Sequence, residues 1–208
     1  MRPSAPRRTV LRISAGDLRW KFNQGEYERT ATSCTSLTGS TPLRVVLGPG
    51  AFGTAESMRR HVDGLRARGI AAEAVDLPRG RAERAAPVFA ALRGQAGIVA
   101  GGHSFGGRAA SLAAAEPEAA FAGLVLFGFP LAGRADERTA HFPRIRCPVL
   151  VLNGDADELS PIAVVREKVA LLPRGRLIVF PRAGHRLDGS LDAALDAAAS
   201  FVRTLRDA

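Results

Sequence analysis

From residue 43 onward the chain repeats one pattern: a short apolar run, a glycine-rich or polar turn, and a longer stretch with one apolar face. Nearly continuous apolar runs of this length are typical of strands buried on both faces of a sheet. The runs are Leu43–Leu47, Ile70–Val75, Gly97–Ala100, Gly123–Phe127, Val149–Leu152 and Leu177–Phe180. The stretches between them predict helices at about 54–68, 82–93, 105–115, 161–172 and 190–206. This alternation predicts an α/β fold, with a mostly parallel twisted sheet and helices on both faces.

The connection between the fourth and fifth runs, from Phe127 to Pro148, is loop-like. Only the stretch 134–141 within it predicts a helical turn, which leaves no room for an inserted lid or cap domain. The chain has 208 residues, which suits one domain of ordinary size. We therefore predict a single α/β domain over residues 43–208 without a cap.

The preceding residues, 1–42, follow a different pattern and predict an N-terminal extension. Apolar and basic side chains alternate over Leu18–Phe22, which is a strand signal, and Val10–Ser14 can pair with this segment as a β-hairpin. Residues 9–22 are thus expected either as an antiparallel edge of the sheet or as a loose tail. The segment Thr30–Pro42 is rich in Thr and Ser and predicts a loop.

The charge and composition exclude several classes of protein. The net charge is +9, but there is no run of five basic residues and the arginines do not cluster with aromatic residues, so no nucleic-acid partner is expected. No apolar run approaches the roughly 20 residues that span a bilayer, so no membrane association is expected. Arg2, Arg7 and Arg8 are not followed by a continuous apolar segment, which disfavours a secretory signal. Cys34 and Cys147 show no metal-ligand spacing, and two free thiols favour a cytoplasmic location without a metal site.

The strongest local motif is Gly-x-Ser-x-Gly, formed by Gly102, Ser104 and Gly106. A buried strand precedes it and an alanine-rich helix follows it, which is the strand–turn–helix context of a nucleophile elbow. Such a turn holds the serine in strained backbone geometry, and glycine on either side removes clashes with neighbouring elements. The helix N-terminus then lies under the serine, where its amides favour developing negative charge.

A serine needs a base, and the chain has four histidines. His185 follows the last predicted strand and therefore lies at the same edge of the sheet as Ser104, so it is the first choice. His141, in the irregular segment, is the second choice. His61 lies within a predicted helix, and the side chain of His103 is expected to point away from the serine.

An orienting acid is expected after the strand Val149–Leu152. Asp155, Asp157 and Glu158 all compete for this role, and each also suits a helix cap or an Asx turn. The chain order of serine, acid and histidine is that of the α/β-hydrolase triad.

An oxyanion hole would complete such a site. Its first donor is expected to be the backbone N–H of Phe105, the residue after the serine. The second is expected from the turn after the strand Leu43–Leu47, where Pro49 has no N–H and Ala51 is the natural candidate.

These motifs resemble those of α/β-hydrolases, and in particular the lidless dienelactone-hydrolase-like group. That group includes the testis-expressed hydrolase-like proteins and a subunit of the nonspecific-lethal histone-acetyltransferase complex. The resembling segments are Val45–Phe52, Gly101–Arg108, Gly123–Leu131, Arg138–Pro143, Pro148–Pro161 and Ala183–Leu187.

The resemblance implies a triad with Ser104 as nucleophile and His185 as base. The family acid follows a glycine by three positions, which selects Asp157 after Gly154. The chain has Pro49-Gly50 where the family usually has His-Gly, and a serine where dienelactone hydrolases proper use cysteine.

The sequence thus predicts a serine hydrolase that cleaves a small-molecule carboxylic ester or thioester through an acyl-enzyme, without a cofactor or metal. An acyltransferase on the same triad stays open. The alternative from another class is a catalytically silent α/β-hydrolase-like domain that binds a partner or serves as a scaffold.

Overall fold

The computed structural model describes residues 11–12 and 42–206 of the chain. Their strands are β1 (Leu11–Arg12), β2 (Arg44–Gly48), β3 (Ala71–Ala74), β4 (Ile98–His103), β5 (Gly123–Phe127), β6 (Val149–Gly154) and β7 (Gly175–Phe180). Their α-helices are α1 (Arg59–Ala67), α2 (Ala82–Ala90), α3 (Phe105–Ala114), α4 (Ala135–Thr139), α5 (Ile162–Val169) and α6 (Leu191–Thr204). Short 3₁₀ helices span Ala55–Met58 and Phe142–Arg144. Every strand and helix predicted after residue 43 is confirmed.

The described strands form one parallel sheet in the order β1-β7-β6-β5-β4-β2-β3. β3 lies on one side of β2 and β4 lies on the other side. β5, β6 and β7 then follow β4 in chain order, away from β2. The strand order therefore reverses between β2 and β4. Open α/β sheets bind ligands in the crevice at such a reversal, outside the carboxyl ends of the strands. The fold class predicted from the sequence, an α/β-hydrolase-type sheet, is confirmed.

Two apolar cores lie on the two faces of this sheet. On one face, Val62, Leu65, Leu195 and Val202 of α1 and α6 pack against the sheet. On the other face the core includes buried residues of α2, α3 and α5, such as Phe89. The central strands β4, β5 and β6 are buried along nearly their whole length because helices cover both faces. The central strands thus hold the loops at their carboxyl ends in fixed positions.

The segment between β5 and β6 contains only the five-residue α4 and one 3₁₀ turn. The carboxyl edge of the sheet is accordingly formed by the loops that directly follow the strands. The predicted helical turn at 134–141 is confirmed by α4.

At the N-terminal edge one prediction is wrong. Leu11 and Arg12 pair with β7 in a parallel orientation, with Leu11 beside Ile178, and not in the antiparallel orientation expected for this edge. The reason is physical: alternation of apolar and polar side chains indicates a strand but carries no information about its direction. The predicted hairpin partner Leu18–Phe22 and most of the predicted Thr/Ser-rich loop lie outside the described residues.

The end of β2 approaches the turn between β4 and α3 so closely that glycine is required. A Cβ built at Gly102 would lie 2.8 Å from the backbone nitrogen of Gly48, and one built at Gly106 would lie 2.8 Å from its Cα. Gly102 also has a φ of 150°, outside the range that other residues favour. Backbone atoms cannot yield as a side-chain end can, so both glycines are fixed by packing.

We expect Gly106→Ala to lower the free energy of unfolding by about 3 kcal/mol, because overpacking a tight contact forces the backbone to shift. Chemical denaturation measures this change. Gly94→Ala is the matched control, since a Cβ there meets nothing within 4 Å. Equal stability of the two variants would contradict the described packing of β2 on the turn.

Candidate active site

Ser104 lies in the turn between β4 and α3, at the carboxyl edge of the sheet. Its backbone adopts φ 50° and ψ −109°, and its N–H donates to the carbonyl oxygen of Phe127 at 2.9 Å. A positive φ at a non-glycine residue is uncommon and is maintained only where the surroundings impose it. Ser104 is 9% exposed. The geometry is that of the strained elbow predicted from the Gly-x-Ser-x-Gly motif.

Backbone amides lie on one side of Ser104. Phe105 is the first residue of α3, and the N–H groups of a first helical turn have no intrahelical acceptor. The loop after β2 lies alongside, since a Cβ built at Gly50 would lie 3.9 Å from the Cβ of Ser104. Ala51, in this loop, is exposed. The two residues predicted to supply oxyanion donors therefore both lie beside the serine, Phe105 at the N-terminus of α3 and Ala51 in the loop after β2.

An aspartate–histidine pair lies on the loops after β6 and β7, at the same edge of the sheet as Ser104. Nδ1 of His185 is 2.9 Å from Oδ2 and 3.1 Å from Oδ1 of Asp157. Asp157 is buried, and its Oδ1 also accepts the backbone N–H of Leu159 at 2.9 Å. A carboxylate only accepts hydrogen bonds, so Nδ1 is the donor, and in the neutral imidazole the lone pair is then on Nε2. This tautomer is the one that a general base requires.

The other two acids in this loop lie elsewhere. Oδ1 of Asp155 accepts the backbone N–H of Arg182 at 2.6 Å, which ties the loop after β6 to the loop after β7. Glu158 is exposed. Of the three acids that the sequence leaves in competition, the structure brings only Asp157 to His185.

His103 connects the two sides of the site, and sequence reasoning missed this role. Its Nε2–H donates to the carbonyl oxygen of His185 at 3.1 Å, and the two imidazole rings are 4.8 Å apart between centroids. Its other edge faces the loop after β2, where a Cβ built at Gly50 would lie 2.8 Å from Nδ1. Burial lowers the pKa of His103, although the hydrogen bond to His185 opposes this effect. The only signal in the sequence is its place beside Ser104 at the end of β4.

A second serine–histidine contact lies deeper in the protein. Nε2 of His141 is 2.8 Å from Oγ of Ser111, and that hydroxyl donates to the carbonyl oxygen of Arg108 at 2.8 Å. Because the hydroxyl proton points to Arg108, the imidazole donates to the serine, which is opposite to what a base does. Ser111 is fully buried. It lies about 10 Å along α3 from Ser104, at 1.5 Å per residue.

His61 on α1 is largely buried beside the site and packs edge-on against Phe127, with ring centroids 5.0 Å apart. Neither of its ring nitrogens has a hydrogen-bond partner among the described residues. Burial lowers the pKa of His61 to about 4, with a smaller contribution from His103, and burial likewise lowers the pKa of His141 to about 4. Both imidazoles are therefore neutral near pH 7.

A small pocket of about 100 Å³ opens at the reversal of the strand order. Residues 49–53 after β2, residues 77–80 after β3, and Phe105 line it. The lining is mainly apolar, and its one charged member, Arg79, is exposed. The pocket thus adjoins both predicted oxyanion donors, Phe105 and Ala51.

The part of the chain that the structure describes contains no group of three or more His, Cys, Asp or Glu side chains arranged to hold a metal ion. None of its helices is long and apolar enough to cross a membrane.

Residues 78–203 match the sequence profile of a family described as an alpha/beta hydrolase domain. This match covers more than half of the chain, and the chain belongs to that family. Comparison with curated protein sequences gave no significant match.

Solved structures with the same fold include several hydrolases. A dienelactone hydrolase from Anabaena variabilis ATCC 29413 is 25% identical with a TM-score of 0.65, over 80% of this chain and 88% of that one. A monoacylglycerol lipase from Paleococcus ferrophilus is 17% identical with a TM-score of 0.68, over 78% and 94% of the chains. The esterase Est2 from Thermogutta terrifontis is 19% identical with a TM-score of 0.64, over 78% and 83%.

The orphaned imidazole of His61 gives a prediction for stability. An unsatisfied buried polar group costs about 1–3 kcal/mol, so His61→Leu should raise the free energy of unfolding at pH 7 by about 1 kcal/mol. The pKa is lower in the folded state than in the unfolded chain, where it is about 6.5. The unfolded chain therefore binds the proton first, and wild-type stability falls as pH drops from about 6.5 to about 4. Denaturation across this range should show a smaller fall in the variant, whereas parallel pH profiles would contradict a buried neutral His61.

Proposed function

We propose that the protein is a serine hydrolase that cleaves a carboxylic ester or thioester through an acyl-enzyme. Ser104 is the nucleophile, His185 the general base and Asp157 its orienting acid. The observation that carries the proposal is the hydrogen bond of 2.9 Å from Nδ1 of His185 to the buried carboxylate of Asp157, at the sheet edge where Ser104 occupies a strained elbow. Membership of the alpha/beta hydrolase family supports it.

In the first half of the reaction, Oγ of Ser104 attacks the carbonyl carbon of the substrate while Nε2 of His185 takes the hydroxyl proton. The carbonyl oxygen becomes an oxyanion, and the N–H groups of Phe105 and Ala51 donate to it. One such donor is worth about 3–4 kcal/mol of transition-state stabilisation. Asp157 stabilises the imidazolium that forms, and His185 returns the proton to the leaving alkoxide or thiolate.

In the second half, a water molecule attacks the acyl-enzyme and gives up a proton to His185. The new oxyanion uses the same two amides. Collapse releases the carboxylic acid and returns the proton to Ser104, so the cycle requires no cofactor or metal. An acyltransferase would differ only in the acceptor, with an alcohol or amine in place of water.

The nucleophile is a serine, so the proposed chemistry is that of an esterase or thioesterase of the lidless dienelactone-hydrolase-like group. The silent-domain alternative, a binding or scaffold role, draws support from Pro49, which stands where the resembling family usually has a histidine. The paired Asp157 and His185 favour the enzyme, because a domain that only binds has no need of a base in the correct tautomer.

Substitution of each of the two aspartates by asparagine provides the first test of the proposal. Asp157→Asn removes the acceptor that sets the tautomer of His185, and hydrolysis of p-nitrophenyl acetate should fall by up to about 10⁴-fold. Asp155→Asn is the matched control, because Asp155 bonds the amide of Arg182 and not the histidine. Steady-state kinetics on both variants decide the matter. Normal turnover in Asp157→Asn with loss of turnover in Asp155→Asn would overturn the assignment.

Substitution of each of the two histidines, His185 and His141, by alanine provides the second test. His185→Ala should lower kcat by roughly 10⁴-fold or more, since the nucleophile loses its base. His141→Ala should retain kcat near the wild-type value, because His141 donates to a buried serine that lies away from the site. The thermal unfolding of both variants is measured in parallel to show that they are folded. Wild-type turnover in folded His185→Ala would exclude the proposed mechanism.

A further inference from the structure

We propose that the pocket at the strand-order reversal is the acyl-binding site, and that it takes a short, unbranched apolar acyl group of about four carbons. The inference rests on the proposed function and names its substrate class. It depends on three observations: the side of Ser104 on which the pocket lies, its size and lining, and the exposure of Phe52.

The position of the pocket assigns it to the acyl group. His185 must deliver its proton to the leaving oxygen or sulfur, so the leaving group lies on the His185 side of Ser104. That side is formed by the loops after β6 and β7, which lie beyond β5 from the elbow. The pocket is formed by the loops after β2 and β3, on the opposite side of β4. With its oxygen held by the amides of Phe105 and Ala51, a bound carbonyl group directs its acyl chain to this side.

The size and lining of the pocket set the length and polarity of the chain. An apolar cavity of about 150 Å³ holds benzene, which has six carbons. The pocket has about 100 Å³, which therefore suits about four carbons. Pro49, Leu77, Pro78 and Phe105 supply apolar walls. Leu77 lies against the end of β2, since a Cβ built at Gly48 would lie 2.7 Å from Cδ1 of Leu77.

Phe52 is a residue of this lining whose ring does not pack in either core. It is 86% exposed and has a φ of 64°, a backbone conformation that aromatic residues rarely adopt. Core packing does not explain a ring that solvent surrounds, nor does it offset the strain of the backbone. A bound acyl chain would contact this ring and remove apolar surface from water.

The experiment measures kcat/KM for p-nitrophenyl acetate, butyrate, hexanoate and octanoate below their micelle concentrations. Each methylene that enters an apolar pocket adds about 0.8 kcal/mol, or about fourfold in kcat/KM. Butyrate has two methylenes more than acetate, so we expect a rise of about 15-fold from acetate to butyrate and a fall beyond butyrate. An octanoate ester hydrolysed as well as the butyrate ester would overturn the inference.

Two variants test the lining. Phe52→Ala should lower kcat/KM for butyrate about fivefold relative to acetate, with an unchanged melting temperature because the ring is exposed. The ratio of the two esters is compared within each variant, so that a change common to both esters cancels. Leu77→Ala should enlarge the pocket and move the optimum to hexanoate. Leu171→Ala, which truncates an exposed leucine outside the pocket lining, is the control and should leave the chain-length profile unchanged.

The outcomes separate this inference from the proposed function. If hydrolysis depends on Ser104 but the profile is the same in wild type, Phe52→Ala and Leu77→Ala, the acyl site is elsewhere and the serine hydrolase assignment stands. If the folded wild-type protein hydrolyses none of the four esters and its Ser104 does not react with a fluorophosphonate, the proposed function and the acyl site both fail.

Discussion

The candidate site depends on one steric constraint, the contact between the end of β2 and the turn that carries Ser104. Gly102 and Gly106 have no side chain to separate these segments, so the backbone of Gly48 lies directly against the elbow. The same contact brings the following loop, with Gly50, beside Ser104. A single side chain at either glycine would move the serine, the N-terminus of α3 and the loop with Ala51 relative to one another. The strained φ of Ser104 persists because this packing leaves no alternative.

The second half of the site is held by close packing as well as by hydrogen bonds, since a Cβ built at Gly154 would lie 2.5 Å from the carbonyl carbon of Ala183. The loops after β6 and β7 are joined where the N–H of Ala156 donates to the carbonyl oxygen of Ala183 at 3.1 Å. Asp157 and His185 extend from these loops and meet at 2.9 Å. His103 then links this half to the elbow, because it donates to the main chain of His185 and lies against Gly50. A half-buried imidazole whose pKa is lowered by burial suits this role, since a charge there would repel an imidazolium on His185.

Much of this arrangement could be predicted from the sequence, for reasons that differ from residue to residue. The strands could be predicted because burial on both faces requires continuous apolar runs. Gly102 and Gly106 could be assigned to the elbow because a buried strand precedes them and an alanine-rich helix follows. The residues alone leave Asp155 and Asp157 in competition, and only the glycine spacing implied by the resemblance selects Asp157. The structure separates the two by their partners, because Asp157 meets His185 and Asp155 meets the amide of Arg182. The contact of His103 with His185 joins positions 82 residues apart in the chain, and only the fold brings them together. The direction of β1 was predicted wrongly because residue alternation is the same in either direction.

The most direct test of the account is the reaction of the folded protein with a fluorophosphonate, followed by mass spectrometry of its peptides. Such a reagent modifies only a serine whose hydroxyl is activated by a base, and it requires no knowledge of the substrate. We expect one adduct on Ser104, which is lost in Ser104→Ala and forms much more slowly in His185→Ala. The matched control, Ser111→Ala, should label as the wild type does. An adduct on Ser111, or no adduct on folded wild-type protein, would contradict the account.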